Sequence, residues 1–587
     1  MRKIFAVAFA AMLFLGLHNL SFAQPKPKKI KQSSASSKAN AEREQLIARL
    51  EKVIPQVMKD GDVPGLSIAF IRNGEVLWHR GFGVKNADTK EPVTDDTVFE
   101  AASLSKPVFA YAVMKMVESG KLDLDAPLTK YFSVSDVEKD DRLSQITTRR
   151  VLSHTTGFPN VRTGGKSLQI YFTPDKKFSY STEGINYLQI IIEHISGQTL
   201  EEFMRKTVFE PLGMTSSSYI WQDKYESVKA FSHDSTRAVT GRVKHQPRAA
   251  TSLHTTALDY ARFVAAILNR KGIKEATVRE MLRPQIKVEE DCVICYERTT
   301  VGRFSPSISW GLGWGLQRAD NKNFIWHWGD ISNWRSYVVA DDKLKTGVII
   351  FTNSANGLSI VDEIMSQAGI GKQPALAWMG YEPYNTPSRV LLRDILASGE
   401  KAISEYRERR NTSGKLDESQ TIWVGYQLLG KKRFNESIEV FKIVTETYPN
   451  SSKAYDVLGE AYLKSGDYGL AVKNYQRAAA LNPQNTNAAT VLKQLQSSQI
   501  QVDAKILEAY AGDYETPFGV LTIVKEGDRL LGRLSGEPEM VLLPQSETQF
   551  IVAIAGIPHT FVRDEKGQVT YIVIKVNGKE FQAKRIR

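Results

Sequence analysis

A serine and a lysine three residues apart form a pair that could support nucleophilic catalysis. Ser103 and Lys106 lie in FEAASLSKPVFAYAVMKMVESG, which has the apolar pattern of a helix beginning near the serine. Residues three apart share one face of a helix, so the amine would lie beside the hydroxyl. The helix N-terminus favours an alkoxide, and burial would lower the pKa of the lysine until it accepts the serine proton. The alternative is an N-cap serine with a solvated lysine, because Ser-x-x-Lys often occurs by chance.

Three further segments follow this pair along the chain. They read VLSHTTGFPN at 151–160, FSYST at 178–182 and HWGD at 327–330. Together with SLSK at 103–106, they resemble the serine β-lactamase and penicillin-binding protein family, particularly its class C and esterase-like branch, over residues 41 to 370. Each segment alone is a weak signal, whereas the joint match in this order is specific. The resemblance implies that Ser103 is a nucleophile and Lys106 its base.

The resemblance assigns part of the proton transfer to a tyrosine. The second element of the family is Tyr-x-Asn, and Tyr180 holds the tyrosine position, where it would share acid and base work with Lys106. Thr182 stands where the family has asparagine, whose carboxamide would hold the lysine and the substrate amide. We assign Thr182 to substrate binding, and the departure argues against β-lactamase activity. The alternative makes Tyr180 a buried structural phenol.

The third element of the resemblance is His327-Trp328-Gly329. β-Lactamases carry Lys-Thr-Gly there, whereas esterase and D-aminopeptidase members carry His-x-Gly. A histidine supplies no permanent cation for a substrate carboxylate, so this element also points away from β-lactams. The resemblance implies that Gly329 lets the substrate backbone approach the strand and that the N–H groups of Asp330 and Ser103 form an oxyanion hole. The alternative makes His327 a structural ring stacked between two tryptophans.

The remaining histidines and the two cysteines do not indicate a metal site. His154 lies in a Ser-His-Thr sequence, but this segment is a structural loop in the family, so we assign it to structure. Other histidines have no partner at metal-ligand spacing: His79, His233, His245 and His254. Cys292 and Cys295 form a single C-x-x-C, which suits a local disulfide in an oxidising compartment or two ordinary thiols. We expect no metal and no cofactor.

The N-terminus has the three parts of a secretory signal. Arg2 and Lys3 precede the apolar run IFAVAFAAMLFLGL, which is followed by a small-residue cleavage site at Ala23. The alternative is a retained anchor, which needs roughly 20 apolar residues. We expect a signal peptide at 1–23, a disordered basic linker at 24–40 and a periplasmic or secreted mature chain without a transmembrane segment. Part of the net charge of +12 lies in the linker, so it says little about partners, and nucleic acid is not expected.

The chain of 587 residues is longer than a single core usually supports. Residues 41–372 have strand patterns at both ends and helical patterns between them, which predicts an α/β (α+β) domain with an antiparallel sheet and a helical subdomain. Within it, Asn73-Gly74 between LSIAFI and EVLWHR predicts a tight hairpin. The Pro-, Gly- and Tyr-rich stretch GKQPALAWMGYEPYN then marks a domain boundary.

A repeat of period 34 follows this boundary. Gly425 matches Gly459 and Phe441 matches Tyr475, which are tetratricopeptide positions, and the repeats occupy about 418–485 within a helical region at 385–500. Such repeats indicate a protein partner. The final segment, 503–587, alternates apolar residues with turns and predicts a small antiparallel β domain.

These features lead to one functional hypothesis and one main rival, besides the interpretation that the repeats have the main role and the hydrolase domain is a sensor. The hypothesis is an exported serine hydrolase that forms an acyl-enzyme with a small ester, a D-amino-acid peptide or a cell-wall fragment, and for which β-lactamase activity would be weak. The rival is a catalytically degenerate protein that binds a peptide or glycan in the old cleft while the repeats recruit a partner. Thr182 supports the rival, and the joint presence of Ser103, Lys106, Tyr180 and His327 supports the enzyme.

Overall fold

A computed structural model describes residues 34–162, 167–233, 238–239, 246–288, 293–294, 307–410, 414–497, 500–534, 539–576 and 578–586. The signal predicted at 1–23, most of the linker predicted at 24–40, His245, Cys292 and Cys295 lie outside the described residues. Helix α1, Ser34–Asp60, begins inside that linker, so its last part is helical rather than disordered. Two compact units are distinguished, Met1–Ala48 and Arg49–Arg587, and the candidate site belongs wholly to the second. Among the described residues, no helix is long and apolar enough to cross a membrane.

The first part of the second unit contains an eight-stranded antiparallel sheet. The strands up to residue 352 are β1 Gly65–Arg72, β2 Glu75–Gly83, β3 Phe99–Glu100, β4 Ser232–His233, β5 Ala238–Val239, β6 His254–Thr255, β7 Ile286–Lys287, β8 Ile308–Trp310, β9 Gly315–Ala319, β10 Lys322–Ile331, β11 Trp334–Asp341 and β12 Thr346–Thr352. The sheet order is β2-β1-β12-β11-β10-β9-β8-β7. This arrangement puts the N-terminal hairpin beside the last strand, with β10 near the middle.

The hairpin between β1 and β2 forms at the predicted turn. Asn73 and Gly74 have φ values of 56° and 78°, the left-handed pair that a two-residue type I′ turn requires. Arg72 pairs with Glu75 across it, and β1 pairs on its other edge with β12. The strand β1 is buried almost throughout, and helix α7, Ala257–Leu268, packs against it and against β12.

Helices fill the interval between the two groups of strands, as the sequence predicted. Besides α7, the helices in this interval are α2 Ser105–Glu118, α3 Thr148–Leu152, α4 Thr182–Ser196, α5 Leu200–Met204, α6 Glu210–Leu212 and α8 Glu275–Leu282. Helix α1 precedes β1, and α9 Val361–Gln367 and α10 Pro374–Trp378 follow β12. Helix α2 is central, because its side chains from Ser105 to Met114 are all buried. The α/β class with an antiparallel sheet and a helical subdomain is therefore confirmed.

The segment that the sequence marked as a boundary is folded against the sheet. Gln373 accepts a hydrogen bond of 2.6 Å from the Gln317 amide on β9, and Trp378 is 1% exposed beside Trp326 on β10. Gln373 directly precedes helix α10, and Trp378 is the last residue of this helix. Residues 373–378 thus pack on the sheet of the domain that was predicted to end at 372, because their buried aromatic and amide side chains have partners there.

In the described residues between 387 and 497, seven helices follow this segment. They are α11 Pro387–Ser398, α12 Glu400–Arg409, α13 Glu418–Gly430, α14 Phe434–Thr447, α15 Ser452–Ser465, α16 Tyr468–Leu481 and α17 Thr486–Ser497. A Cβ atom added to Gly425 would lie 2.2 Å from the Phe441 ring, so the paired helices α13 and α14 need a glycine where they cross. Gly459 lies against the Tyr475 ring in the next pair in the same way.

The last part of the chain is a closed β-barrel. It begins with α18 Ala504–Tyr510 and continues with β13 Gly512–Thr516, β14 Gly519–Glu526, β15 Arg529–Leu534, β16 Met540–Pro544, β17 Gln549–Val552, β18 Pro558–Arg563, β19 Val569–Val576 and β20 Lys579–Arg585. Neighbouring strands pair in chain order, and β13 closes the barrel on β20. The all-β class is confirmed, and closure removes the exposed edges that an open sheet would have.

Candidate active site

The loop that carries Ser103 is held from three sides. Strand β3 ends at Glu100, Ala101 N–H donates to the Leu253 carbonyl over 2.8 Å, and a short 3₁₀ turn, Ala102–Leu104, leads into α2. Ala102 has a φ of 49°, a left-handed conformation that is strained for a residue with a Cβ. Ser103 itself is 8% exposed, so its hydroxyl lies in a narrow opening at the start of α2.

Lys106 is completely buried and turns its amine toward the serine. Its Nζ donates hydrogen bonds of 3.0 Å to Ser103 Oγ, 3.2 Å to Thr182 Oγ1 and 3.1 Å to the carbonyl of Ala250. Burial lowers the pKa of Lys106 from its usual 10.5 to about 7, because no carboxylate is present among these contacts to offset the lost hydration. The lysine can therefore hold or release a proton near neutral pH, beside the hydroxyl of Ser103.

Thr182 takes part in holding the lysine. It is the first residue of α4, and its backbone N–H donates to Asn160 Oδ1 over 3.2 Å while its hydroxyl accepts from Lys106. The preceding residue, Ser181, caps the helix by accepting from Gly184 N–H. The threonine hydroxyl thus provides one lysine contact that the missing asparagine would have made.

Tyr180 lies in an aromatic enclosure next to Lys106. Its ring centroid is 4.8 Å from Lys106 Nζ, 4.4 Å from the His154 ring centroid and 4.7 Å from the centroid of Trp328. Burial raises the pKa of the phenol well above its usual 10, an effect that the nearby Ser103 hydroxyl partly offsets. The Tyr180 oxygen nevertheless makes no hydrogen bond of standard geometry to any described residue.

His327 is a neutral histidine on β10 with one nitrogen unused. Its Nδ1 lies 2.8 Å from the carbonyl oxygen of Trp328, so Nδ1 carries the proton and Nε2 is an acceptor. Burial, reinforced by the positive charge of Lys106, lowers the pKa of His327 to about 3. Among the described residues Nε2 has no partner, and the ring centroid lies 6.1 Å from that of Tyr180. The ring also packs against Trp310 and Trp328, as the structural alternative proposed.

His154 lies against the ring of Tyr180. Its Nδ1 accepts a 3.1 Å hydrogen bond from Ser181 N–H, so Nε2 must carry the proton, and Nε2 has no partner among the described residues. Burial lowers the pKa of His154 well below its usual value, with a contribution from Lys106. The residue holds the FSYST segment, consistent with a structural assignment, and also forms one wall of the Tyr180 enclosure.

The packing of β10 requires a glycine at position 329, and the predicted role of Gly329 in substrate approach stays a prediction. A Cβ atom there would lie 2.4 Å from the Ala101 carbonyl oxygen and 2.1 Å from Ser336 Oγ. The space is therefore occupied by the protein itself, because β10 packs directly on the loop before Ser103. Glycine at this position fixes the distance between the strand and the nucleophile.

The Asp330 side chain is held by two residues that the sequence analysis did not single out. Arg335 Nη1 forms an ion pair of 2.7 Å with Asp330 Oδ1, and the Tyr381 hydroxyl donates a hydrogen bond to Asp330 Oδ2. Tyr381 belongs to the segment predicted as a domain boundary, so only tertiary structure reveals the contact. The Asp330 carboxylate also contributes to the raised pKa of Tyr180.

Glu100 is a further titratable group close to the nucleophile. It is the last residue of β3, three positions before Ser103, and pairs in register with His254 on β6. Burial raises the pKa of its carboxyl from 4.5 to about 7. No sequence pattern distinguishes this glutamate from a surface one.

Three buried side-chain polar atoms at or beside Tyr180 make no hydrogen bond of standard geometry with described residues. Tyr180 Oη, His327 Nε2 and His154 Nε2 are all buried, and their rings lie within 6.1 Å of the Tyr180 centroid. Buried polar groups in folded proteins nearly always have partners, so such a cluster is typical of a place where substrate or water binds. Among the described residues, no group of three or more His, Cys, Asp or Glu side chains is arranged to hold a metal ion.

Comparison with protein families gives three matches along the chain. The beta-lactamase family matches residues 50–364, a tetratricopeptide repeat family matches 452–485, and a domain of unknown function, DUF3471, matches 496–586. The first match covers Ser103, Lys106, Tyr180 and His327 and more than half of the chain. The order of the three matches follows the order of sheet, repeat helices and barrel.

Individual proteins are similar at low identity. Protein flp of Staphylococcus aureus strain N315 is 20% identical over 324 residues, which cover 52% of this chain and 62% of that protein. Esterase EstB of Burkholderia gladioli is 27% identical over 209 residues, covering 30% of this chain and 52% of the esterase. The chain thus spans less than two thirds of these relatives. An octameric penicillin-binding protein homologue from Pyrococcus abyssi aligns with 92% of this chain and 100% of its own, at 18% identity and a TM-score of 0.47.

Proposed function

The chain belongs to the beta-lactamase family, and from this membership we propose that it is an exported serine hydrolase acting through an acyl-enzyme. Ser103 is the nucleophile and Lys106 its base. The substrate is an ester or an amide, with esterase or D-amino-acid peptidase activity favoured over β-lactamase activity. Export rests on the pattern of residues 1–23 alone.

The observation that carries this proposal is the geometry of Lys106. An amine 3.0 Å from Ser103 Oγ, with a pKa of about 7, is neutral in a substantial fraction of molecules at physiological pH. The neutral amine takes the hydroxyl proton as the serine oxygen forms its bond to the substrate carbonyl carbon. The resulting ammonium then stabilises the negative charge that collects on the carbonyl oxygen.

Tyr180 serves as a neutral proton carrier rather than as a phenolate. Its pKa lies too far above 10 for the anion to be populated at neutral pH. With its ring 4.8 Å from Lys106 Nζ, it passes a proton to the leaving oxygen or nitrogen and regains one from the ammonium. His327 Nε2, an acceptor, orients the phenolic proton or a substrate N–H or O–H group.

The oxyanion is held by backbone N–H groups of Ser103 and Asp330. Gly329 supports this assignment because its close contact with Ala101 holds the two segments together. Tyr381 and Arg335 fix the Asp330 side chain and so reduce the motion of the donor strand. Thr182 completes the site by holding Lys106 and by facing the substrate with its hydroxyl.

The charge of the site favours an ester or a peptide over a β-lactam. His327 is neutral, with a pKa of about 3, so it offers no cation to the carboxylate that β-lactams carry. One relative at 27% identity is named an esterase, which agrees with this preference. The repeats between 418 and 485 are proposed to recruit a protein partner.

Active-site labelling tests the proposal. The protein is incubated with a fluorophosphonate probe and with p-nitrophenyl esters, and labelling is followed by intact mass. We expect one label on Ser103, and Ser103→Ala to lower turnover by about a thousandfold or more. Ser119→Ala, a surface serine at the end of the same helix, is the matched control and keeps both signals. Absence of labelling in folded protein between about pH 6 and 10 would make a degenerate peptide- or glycan-binding protein the better interpretation.

A further inference from the structure

The two ends of the C-terminal barrel are built differently. Its strands run up and down in chain order, so the turns between β14 and β15, β16 and β17, and β18 and β19 lie at one end. The turn at 517–518 and the segment 553–557 lie at the other end. Closed barrels of eight strands are just wide enough to be filled by side chains or to hold one small ligand.

Helix α18 plugs the first of these ends. Its residue Tyr510 is fully buried, with its ring stacked on Phe561 at a centroid distance of 4.0 Å. The Tyr510 hydroxyl donates to the Glu547 carbonyl over 3.0 Å and accepts from Arg563 over 2.9 Å. Tyr514 donates to the Tyr510 carbonyl over 2.8 Å. This end of the barrel is therefore packed and hydrogen-bonded.

The opposite end contains a cavity of about 110 Å³ that opens beside Phe518. Phe518 is 62% exposed and meets Phe581 edge to face at 5.4 Å, so two aromatic rings form the rim. Deeper in the barrel the lining is aliphatic and ends at Leu521 and Ala583, which are buried. Side chains of the described strands thus leave an apolar space where a filled core would be expected.

Among the residues that the structure describes, no charged side chain lines this cavity. The polar residues in it are Thr516, whose hydroxyl bonds within its own turn to Gly519, and His559. His559 Nδ1 lies 3.1 Å from the Ile557 carbonyl, and burial lowers the pKa of the ring, so this histidine is neutral at physiological pH. A water molecule in such a cavity would find few partners, whereas apolar cavities of about 150 Å³ bind benzene.

We propose that the open end of the barrel is a binding site for a small uncharged molecule, or part of one, with the size of a single ring. The site favours an apolar ligand. Its wall is closed, its base is plugged by α18, its rim is aromatic and its described lining is uncharged. A carboxylate or an ammonium group would lose its hydration there without gaining a counter-ion. The site is separate from Ser103 and does not depend on the proposed hydrolase activity.

Titration calorimetry with bromobenzene tests the proposal, and diffraction from soaked crystals locates the bromine. The full-length chain carrying Ser103→Ala is used beside the unaltered protein, so that the result is independent of catalysis. We expect one site per chain in both, with bromine inside the rim of Phe518 and Phe581. Benzoate and benzylamine should bind at least about tenfold more weakly.

Two neighbouring positions on β20 supply a matched pair of variants. Ala583→Phe places a ring in the cavity and should weaken bromobenzene binding by about tenfold or more. Gln582→Phe places the same ring on the exposed outer face of the strand and should leave binding within about twofold. Ala583→Leu fills the cavity with a smaller side chain if the phenylalanine variant does not fold, which circular dichroism would reveal.

Several results would overturn the proposal. The proposal fails if bromobenzene does not bind, or if its binding is unchanged in folded Ala583→Phe or Ala583→Leu. It also fails if bromine is located only outside the barrel, or if benzoate and benzylamine bind with the same affinity as bromobenzene. Light scattering provides the last criterion. If the chain self-associates and Phe518→Ser abolishes this, the rim is an interface between copies rather than a ligand site.

Discussion

Replacing Thr182 with valine should shift the pH at which the enzyme becomes active. Valine keeps the shape of threonine but removes the hydroxyl that accepts a 3.2 Å hydrogen bond from Lys106 Nζ. A hydrogen bond from a charged donor contributes about 1.5 kcal/mol or more, and it favours the ammonium over the neutral amine. Its loss lowers the pKa of Lys106 by about one unit, since 1.36 kcal/mol corresponds to one pKa unit.

The expected pH profile follows from that shift. The base is the neutral amine, so activity rises with pH through the pKa of Lys106, which is about 7 in the unaltered protein. At pH 6 the unaltered enzyme should have about a tenth of its plateau activity and Thr182→Val about half of its own plateau. The assay is kcat/KM for a p-nitrophenyl ester from about pH 5 to 9.

The serine variant separates the hydroxyl from the methyl group. Thr182→Ser keeps the acceptor and should keep the acidic limb near pH 7, whatever it does to the plateau. If the apparent pKa of the acidic limb of the kcat/KM profile is unchanged or higher in Thr182→Val, the role of this hydrogen bond is refuted. A profile with no limb between about pH 5 and 8 in any variant would refute Lys106 as the base.

Three further predictions concern the surroundings of the nucleophile. Gly329→Ala forces β10 away from the Ala101 carbonyl and should lower kcat by about a hundredfold while circular dichroism stays unchanged. Tyr381→Phe removes a hydrogen bond to Asp330 and should lower kcat more than it changes KM, as measured in ester kinetics; an unchanged kcat would contradict the coupling. Glu100 has a folded pKa above its unfolded one, so its stability contribution is complete below about pH 4.5 and is lost as pH rises through about 7. Glu100→Gln should therefore raise the melting temperature at pH 8 and leave it unchanged at pH 4.

Local patterns were enough to predict several elements of the fold. Asn73-Gly74 between alternating apolar runs forms the expected hairpin because only a left-handed pair joins such strands in two residues. Gly425 and Phe441 meet where the repeat pattern indicated, because their spacing is fixed by the helix period. Ser103 and Lys106 meet for the same reason. Each of these features depends on residues close together in the chain or on a strict repeat.

The contacts that escaped prediction depend on distant segments. Lys106 bonds to a carbonyl of Ala250, and a backbone acceptor has no signature in the sequence. Tyr381 reaches Asp330 across 51 positions, from a stretch whose Pro, Gly and Tyr content indicated a domain boundary. The packing of β10 on Ala101, which also requires a glycine at 329, is visible only in three dimensions.

The site combines several features that oppose folding. Lys106 is buried and Glu100 partly buried, both with pKa values of about 7, and Ala102 has a left-handed φ of 49°. Lys106 has a folded pKa below its unfolded value of 10.5, so it reduces stability increasingly as pH falls toward 7. These unfavourable contributions to the free energy of folding persist only where the surrounding structure holds the residues in place. Here the buried helix α2 and the sheet hold them. The same burial that weakens the fold near Lys106 makes the amine a base at neutral pH, which is why a stabilising substitution at this lysine is expected to abolish activity.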